Sequence, residues 1–260
     1  MTPESLALQC PGYGHRLRKY FAFDPEFVPL NHGALGATPR PVLDASNVLT
    51  LKFEFNPDDF LWLKYESKLN EVQRQIARLV NADTDECVLV PNVCNGINTI
   101  LRNFEWREGD AIVIRFGSVD VTIALSIPAA LQFRESLSGE EKINAYCRSL
   151  ALAGGKRLAG NIGHTQVDQS PERVWTANMV AVELPLPSDV LPSFEIMRFI
   201  QVRLLALHKV YASAFYHNHR WWTRASAQVY NEISDFEKVG YALLDVCREI
   251  AQGYRRGPRL

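Results

Sequence analysis

The chain has 260 residues, 47% hydrophobic and 22% charged, with 28 basic residues against 29 acidic ones and a formal charge of -1. Composition of this kind excludes a disordered tail, and a chain this long buries roughly 70–75% of the surface its unfolded form exposes, so its core needs no disulfide or metal staple. The charge balance supplies no field for nucleic acid or an anionic membrane surface, which leaves a small molecule or another protein as the expected partner. Five cysteines (Cys10, Cys87, Cys94, Cys147, Cys247) form no C-x-x-C pair and read as reduced thiols. No stretch has the apolar run of a secretory signal or of a membrane span, so a cytoplasmic location is expected.

In chain order, Leu30 to Pro39 (LNHGALGATP) carries two glycines and a proline in ten residues and reads as a loop. A helix is expected from Pro41 to just before Asn56. A second, longer one opens at Asn56-Pro57-Asp58-Asp59, with Asn as N-cap, Pro at the first helical position and acids in the first turn. It runs to about Val80 and presents Leu69, Val72, Ile76, Leu79 and Val80 on one face. Cys87 to Val90 and Ala111 to Ile114 are short β-branched runs bracketing a helical stretch, Gly96 to Phe104, which predicts a β-α-β crossover with parallel strands. No further strand-helix unit follows. Instead the chain enters helical patterns (TIALSIPAALQFRESL, EEKINAYCRSLALAGGKRLAG), although a parallel sheet needs both faces covered and two strands make a poor one. The last third predicts a strand at Met179 to Leu184, a helix at Phe194 to Leu207, strands at Tyr211 to Tyr216 and Trp221 to Val229, and a terminal helix from Ser234 onward. A solvated basic tail (Arg255, Arg256, Arg259) ends the chain.

Among residues with chemistry, the loop Pro91 to Asn98 precedes a helix N-terminus, where free N–H groups and the helix dipole favour an anion such as phosphate; an ordinary turn has the same form. Arg224 on a strand suits a carboxylate, or a local acid such as Glu232. His32 in its Gly-rich loop is either a turn cap or a site residue. His217-Asn218-His219 lacks a third metal ligand and reads as a solvated turn.

Four separated segments, LNHGALGATPRPVLDA, VPNVCNGINTILRN, GSVDVTIALSIPAALQFRESLSGEEKI and RASAQVYNEISDFE, together resemble the class-V pyridoxal-phosphate aminotransferase family, in its isopenicillin N epimerase-like and cysteine desulfurase-like branch. The resemblance implies an α/β fold of pyridoxal-enzyme fold type I, with a large-domain sheet left incomplete (residues 1–116) and an interdomain helix plus small α+β domain (residues 117–260). It implies pyridoxal 5'-phosphate as cofactor, held at Val93, Cys94 and Asn95 and, from the neighbouring subunit of a homodimer, at Ser118. A small amino-acid substrate is expected at Asn31 and His32, with its carboxylate on Arg224. Relatives place a hydroxyl where this chain has Cys94, and a thiol is the weaker donor.

Pyridoxal chemistry also needs a lysine for the Schiff base, an acid for the ring nitrogen and a stacking ring. In the family these lie between the strand matched by Ala111 to Ile114 and the Gly-Thr pair matched by Gly117-Ser118, points that here are joined through Arg115 and Phe116. The expectation is thus a family protein with an internal block missing and no catalytic residue of its own. It would be an aminotransferase-like protein of amino-acid or sulfur-amino-acid metabolism in fungal secondary metabolite biosynthesis, or else a catalytically inactive partner of a full-length relative or a truncated gene product.

Overall fold

The computed structural model describes residues 12–90, 92–103, 105, 107, 124–163 and 176–255. The chain divides into two compact units, residues 39–133 and residues 1–38 with 134–260. The expected domain boundary at 116/117, the strand at Ala111 to Ile114, Ser118 and the tail arginines Arg256 and Arg259 lie outside the described residues.

In the unit of residues 39–133, α1 (Arg40–Phe55) is followed at once by a turn of helix (Pro57–Asp59, α2), a π-helical stretch (Phe60–Tyr65) and α3 (Glu66–Val80). The Asn56 side chain accepts the Asp59 amide at 3.1 Å, the expected cap. Asn81, at φ 55°, ends α3 in the left-handed conformation. Phe60, Val72 and Leu125 form a small core against Phe53, Tyr65 and Ile76. Leu79 and Val80, expected on the buried face, are 48% and 59% exposed because α3 is already ending there. Cys87 to Val90 is not a strand: Val88 is 78% exposed, and among the described residues no strand pairs with the segment. β-branched residues make a strand only where a neighbour takes up their backbone groups. Here the Gln73 amide donates to the carbonyls of Thr84 and Cys87 instead. α4 (Val93–Arg102) starts three residues before the expected helix.

The other unit is α+β, so the described chain is mixed α/β. The unit boundary falls within α5 (Ile127–Ser136), between Phe133 and Arg134; with the short β1 (Val28–Pro29), this unit then comprises α6 (Gly139–Ile162), β2 (Met179–Glu183), α7 (Phe194–Ala206), β3 (Val210–Tyr211), β4 (Ser213–His217), β5 (Arg220–Ser226) and α8 (Ile233–Arg255). β1 and β3 pair in parallel over two residues, while β2, β5 and β4 form an antiparallel sheet with β5 in the centre. Period-two alternation sorts this sheet. Val180, Val182, Trp221, Thr223 and Ala225 are buried, all but Thr223 in a core shared with α6, α7 and α8, and Trp221 donates its indole N–H to Val190 O at 2.7 Å. Met179, Ala181, Ser213, Trp222, Arg224 and Ser226 carry the opposite parity and form the second face.

A glycine pair sets the helix spacing. A Cβ on Gly154 would meet the Phe236 ring at 2.5 Å, and one on Gly155 would meet the Val180 side chain at 2.7 Å. α6 therefore lies closer to α8 and to β2 than any larger residue would permit.

Candidate functional site

Three of the expected site residues belong to the α+β unit, and one short stretch of backbone brings two of them to the sheet. The loop after β1 continues along the end of β5: Leu30 N donates to Tyr211 O at 2.9 Å, Ser226 N donates to Leu30 O at 2.8 Å, and Gly33 N donates to the Ser226 hydroxyl at 3.3 Å. Asn31 and His32 are thus held between two anchors on Ser226. Arg224 lies two residues back along β5 on the same sheet face, opposite the small residues Ala181 and Ser213. A Cβ on Gly33 would stand 2.4 Å from Met179 Sδ, so a larger residue there requires the Met179 side chain to move aside.

Two polar atoms at this end of the sheet are buried without a hydrogen-bond partner among the described residues, Asn31 Oδ1 and Arg224 Nε. Orphaned buried polar atoms are rare and call for an explanation, commonly a ligand or water that completes them. The alternative pairing of Arg224 with Glu232 does not occur. Glu232 turns the other way and takes the His15 amide at 2.7 Å. An arginine fork and an amide oxygen together can accept a carboxylate and a neighbouring ammonium or hydroxyl.

His32 is half-buried, and its Nδ1 lies 3.0 Å from the Tyr230 hydroxyl. Burial first, and the positive charge of Arg134 second, hold its pKa below the ordinary 6.5, so the ring is neutral at neutral pH. Sequence reasoning missed Tyr230, which is 1% exposed and reads as an ordinary core aromatic. Its segment is fixed by a polar hub: Asn231 Nδ2 donates to Pro29 O and to Asp235 Oδ2 at 3.0 Å each, Asn231 Oδ1 takes the Gln228 amide at 3.1 Å, and Tyr146 donates to Asn231 O at 2.6 Å. His15 Nε2 lies 2.9 Å from Asp235 Oδ1, at the first turn of α8.

The expected phosphate-binding residues Val93, Cys94 and Asn95 belong to the unit of residues 39–133 and form the first turn of α4. Asn92 caps it by accepting the Asn95 amide at 3.0 Å. The first-turn amides and dipole suit an anion. The segment Cys87 to Val90 upstream of it is not a strand. His217, Asn218 and His219 are exposed at the β4–β5 turn, with φ of 49° and 61° at the last two, and no cluster of three metal-ligating side chains occurs among the described residues.

The residues present do not fit covalent attachment of pyridoxal phosphate. A Schiff-base lysine sits in a desolvated site that depresses its pKa. All eight lysines of the chain (Lys19, Lys52, Lys64, Lys68, Lys142, Lys156, Lys209, Lys238) are exposed, and none lies on the sheet face of Arg224.

The chain is similar to cysteine desulfhydrase-like and sulfoxide lyase proteins. It is 35% identical over 155 residues to the L-cysteine desulfhydrase-like protein lolT2 of Epichloe uncinata, covering 56% of this chain and 33% of that protein. To the hercynylcysteine sulfoxide lyase of Schizosaccharomyces pombe it is 32% identical over 103 residues, 39% of this chain and 26% of that one. The chain thus spans only about a quarter to a third of the length of these curated relatives. Among solved structures it resembles an 8-amino-7-oxononanoate synthase of Francisella tularensis at 13% identity and a TM-score of 0.33, over 53% of this chain and 35% of that one. No family model matches.

Proposed function

We propose that the chain is a cysteine desulfhydrase-like protein of the class-V pyridoxal-phosphate family and fold type I that recognises a small, sulfur-containing amino acid through its carboxylate. The observation that carries this reading is the pair of unpartnered buried atoms, Arg224 Nε and Asn31 Oδ1, at one end of the central strand. Arg224 supplies the fork for the carboxylate, and Asn31 and His32 border the rest of the ligand. The four ordered segments and the sulfur chemistry in the names of both fungal relatives support the substrate class and a setting in fungal sulfur-amino-acid or secondary metabolism. In a complete relative the cofactor supplies the electron sink. This chain offers no buried lysine, and no step through the cofactor is derived for it; an internal block lost between Arg115 and Gly117 accounts for that.

Isothermal titration with L-cysteine under reducing conditions tests the reading. Binding that Arg224→Gln abolishes is expected, and binding indifferent to Arg224 overturns it. Pyridoxal phosphate followed by borohydride is expected to leave no stoichiometric lysine adduct; a single modified lysine would refute the lack of covalent attachment.

A second reading, pairing with a full-length relative or a second copy, is favoured by apolar exposure on the unit of residues 39–133, where Phe55 is 92%, Trp62 76% and Leu63 75% exposed. Co-expression with a full-length relative tests it: co-purification supports the pairing, and a monomer that ignores the relative removes it.

A further inference from the structure

The Tyr230 hydroxyl has a single hydrogen-bonding neighbour among the described residues, His32 Nδ1 at 3.0 Å. A phenol carries one proton and two acceptor lone pairs, and a neutral imidazole has one donor nitrogen and one acceptor nitrogen. Two arrangements are therefore possible. If His32 donated from Nδ1, the Tyr230 proton would be left buried with no acceptor, at the desolvation cost of an unmade hydrogen bond. If Tyr230 donates to Nδ1, its proton is satisfied and the ring proton moves to Nε2. The second arrangement leaves no buried donor unpaired.

The phenol has no freedom to turn elsewhere. Phe21 and Phe23 pack edge-on against its ring, with centroids 4.7 and 4.9 Å away, and the next residue, Asn231, is fully buried in the polar hub at Pro29 and Asp235. The His32 ring is confined from the other side, since a Cβ on Gly36 would stand 2.9 Å from Cε1 and 3.1 Å from Nε2. His32 Nε2 itself has no partner among the described residues.

We propose that Tyr230 is a positioning residue that fixes His32 as the Nε2–H tautomer, so that His32 serves the amino-acid site as a neutral hydrogen-bond donor and not as a base. The assignment rests on the carboxylate site proposed above for its ligand, but not for its tautomer. An Nε2–H donor on the residue next to Asn31, in the loop anchored on Ser226, complements an anionic oxygen acceptor and adds direction to a guanidinium's charge. The charged and titratable groups acting on this pair are Arg134 on His32, and Arg18, Cys147 and Asp235 on Tyr230. Arg134 is itself paired with Glu140, and its charge opposes a second positive charge on His32.

Two-bond 1H–15N correlation spectra of the full chain near neutral pH test this directly. His32 is expected to show Nδ1 as the bare nitrogen and Nε2 as the protonated one. In Tyr230→Phe the two tautomers are expected to mix, and L-cysteine affinity to fall about 3- to 10-fold, the effect of one neutral hydrogen bond. A wild-type spectrum with the proton on Nδ1 overturns the proposal without any variant having to fold. So does a Tyr230→Phe protein whose His32 pattern and L-cysteine affinity both match wild type. If wild type shows the Nε2–H pattern but binds no L-cysteine, the Tyr230–His32 assignment stands and the carboxylate reading falls. If binding depends on Arg224 while His32 is protonated on Nδ1, the carboxylate reading stands and this assignment falls.

Discussion

Replacing Gly154 with alanine isolates the close approach of the two longest helices. The new methyl would sit 2.5, 2.6 and 2.8 Å from three atoms of the Phe236 ring, about 1 Å inside ordinary contact. Phe236 is fully buried and cannot swing clear, so α6 and α8 must separate or the ring must leave its rotamer. Overpacking of this kind costs ~1–3 kcal/mol, whereas glycine to alanine inside a helix returns ~1 kcal/mol of propensity. The net expectation is a loss of up to ~2 kcal/mol, or up to roughly 8 °C in Tm. Gly160 lies on the same helix with nothing within 4 Å of its would-be Cβ, so Gly160→Ala experiences the propensity term alone and is expected to gain up to ~1 kcal/mol. Urea midpoints of the two variants and wild type, at unchanged m-value, give the comparison. A Gly154→Ala protein at least as stable as wild type, or equal losses in both variants, would refute the packing account.

Four other outcomes are expected. Arg224→Met should weaken L-cysteine binding at least 10-fold, the effect of losing a charge-assisted hydrogen bond, while leaving the urea midpoint unchanged or higher, because the guanidinium Nε has no protein partner to lose. Lowering the pH should expose the depressed pKa of His32: the unfolded chain takes up this proton around 6.5 and the folded chain only at lower pH, so stability is intact above 6.5 and declines as pH falls through the folded value. His32→Gln should remove that part of the decline in pH-resolved melts. Native alkylation should reach the partly exposed Cys87 and Cys94 before Cys147 and Cys247, whose thiols burial pushes up to about 11 and about 12; peptide mass spectrometry reads the order. Asn231→Ala should cost at least ~2 kcal/mol by taking the side-chain partner from the Pro29 carbonyl and the Gln228 N–H and one of two donors from Asp235 Oδ2, measured as a urea midpoint shift.

Where structure follows from local pattern, the sequence announced it. The Asn56 cap, the helices at 40–55, 57–80 and 194–206, and the Met179 strand all fall within a residue or two of expectation, because capping groups and apolar spacing act over a single turn or pleat. Cys87 to Val90 failed for the complementary reason: its β-branched composition is local, but a strand depends on a partner elsewhere in the chain. The site was half legible. Asn31, His32 and Arg224 came from the resemblance, not from spacing. Glu232 was a sensible partner for Arg224 by proximity in sequence, yet it binds a residue 217 positions away. Tyr230 had no local signal, since its role depends on a loop 198 residues upstream.

The alternation along β5 has an evolutionary corollary. Trp221, Thr223 and Ala225 are committed to the buried side, while Trp222, Arg224 and Ser226, one atom layer away on the same backbone, face the other way. On the carboxylate-binding reading proposed above, changes at Trp222 and Arg224 would retune what is recognised while Trp221, Thr223 and Ala225 keep the strand packed and the buried Ser226 keeps the Asn31–His32 loop in place.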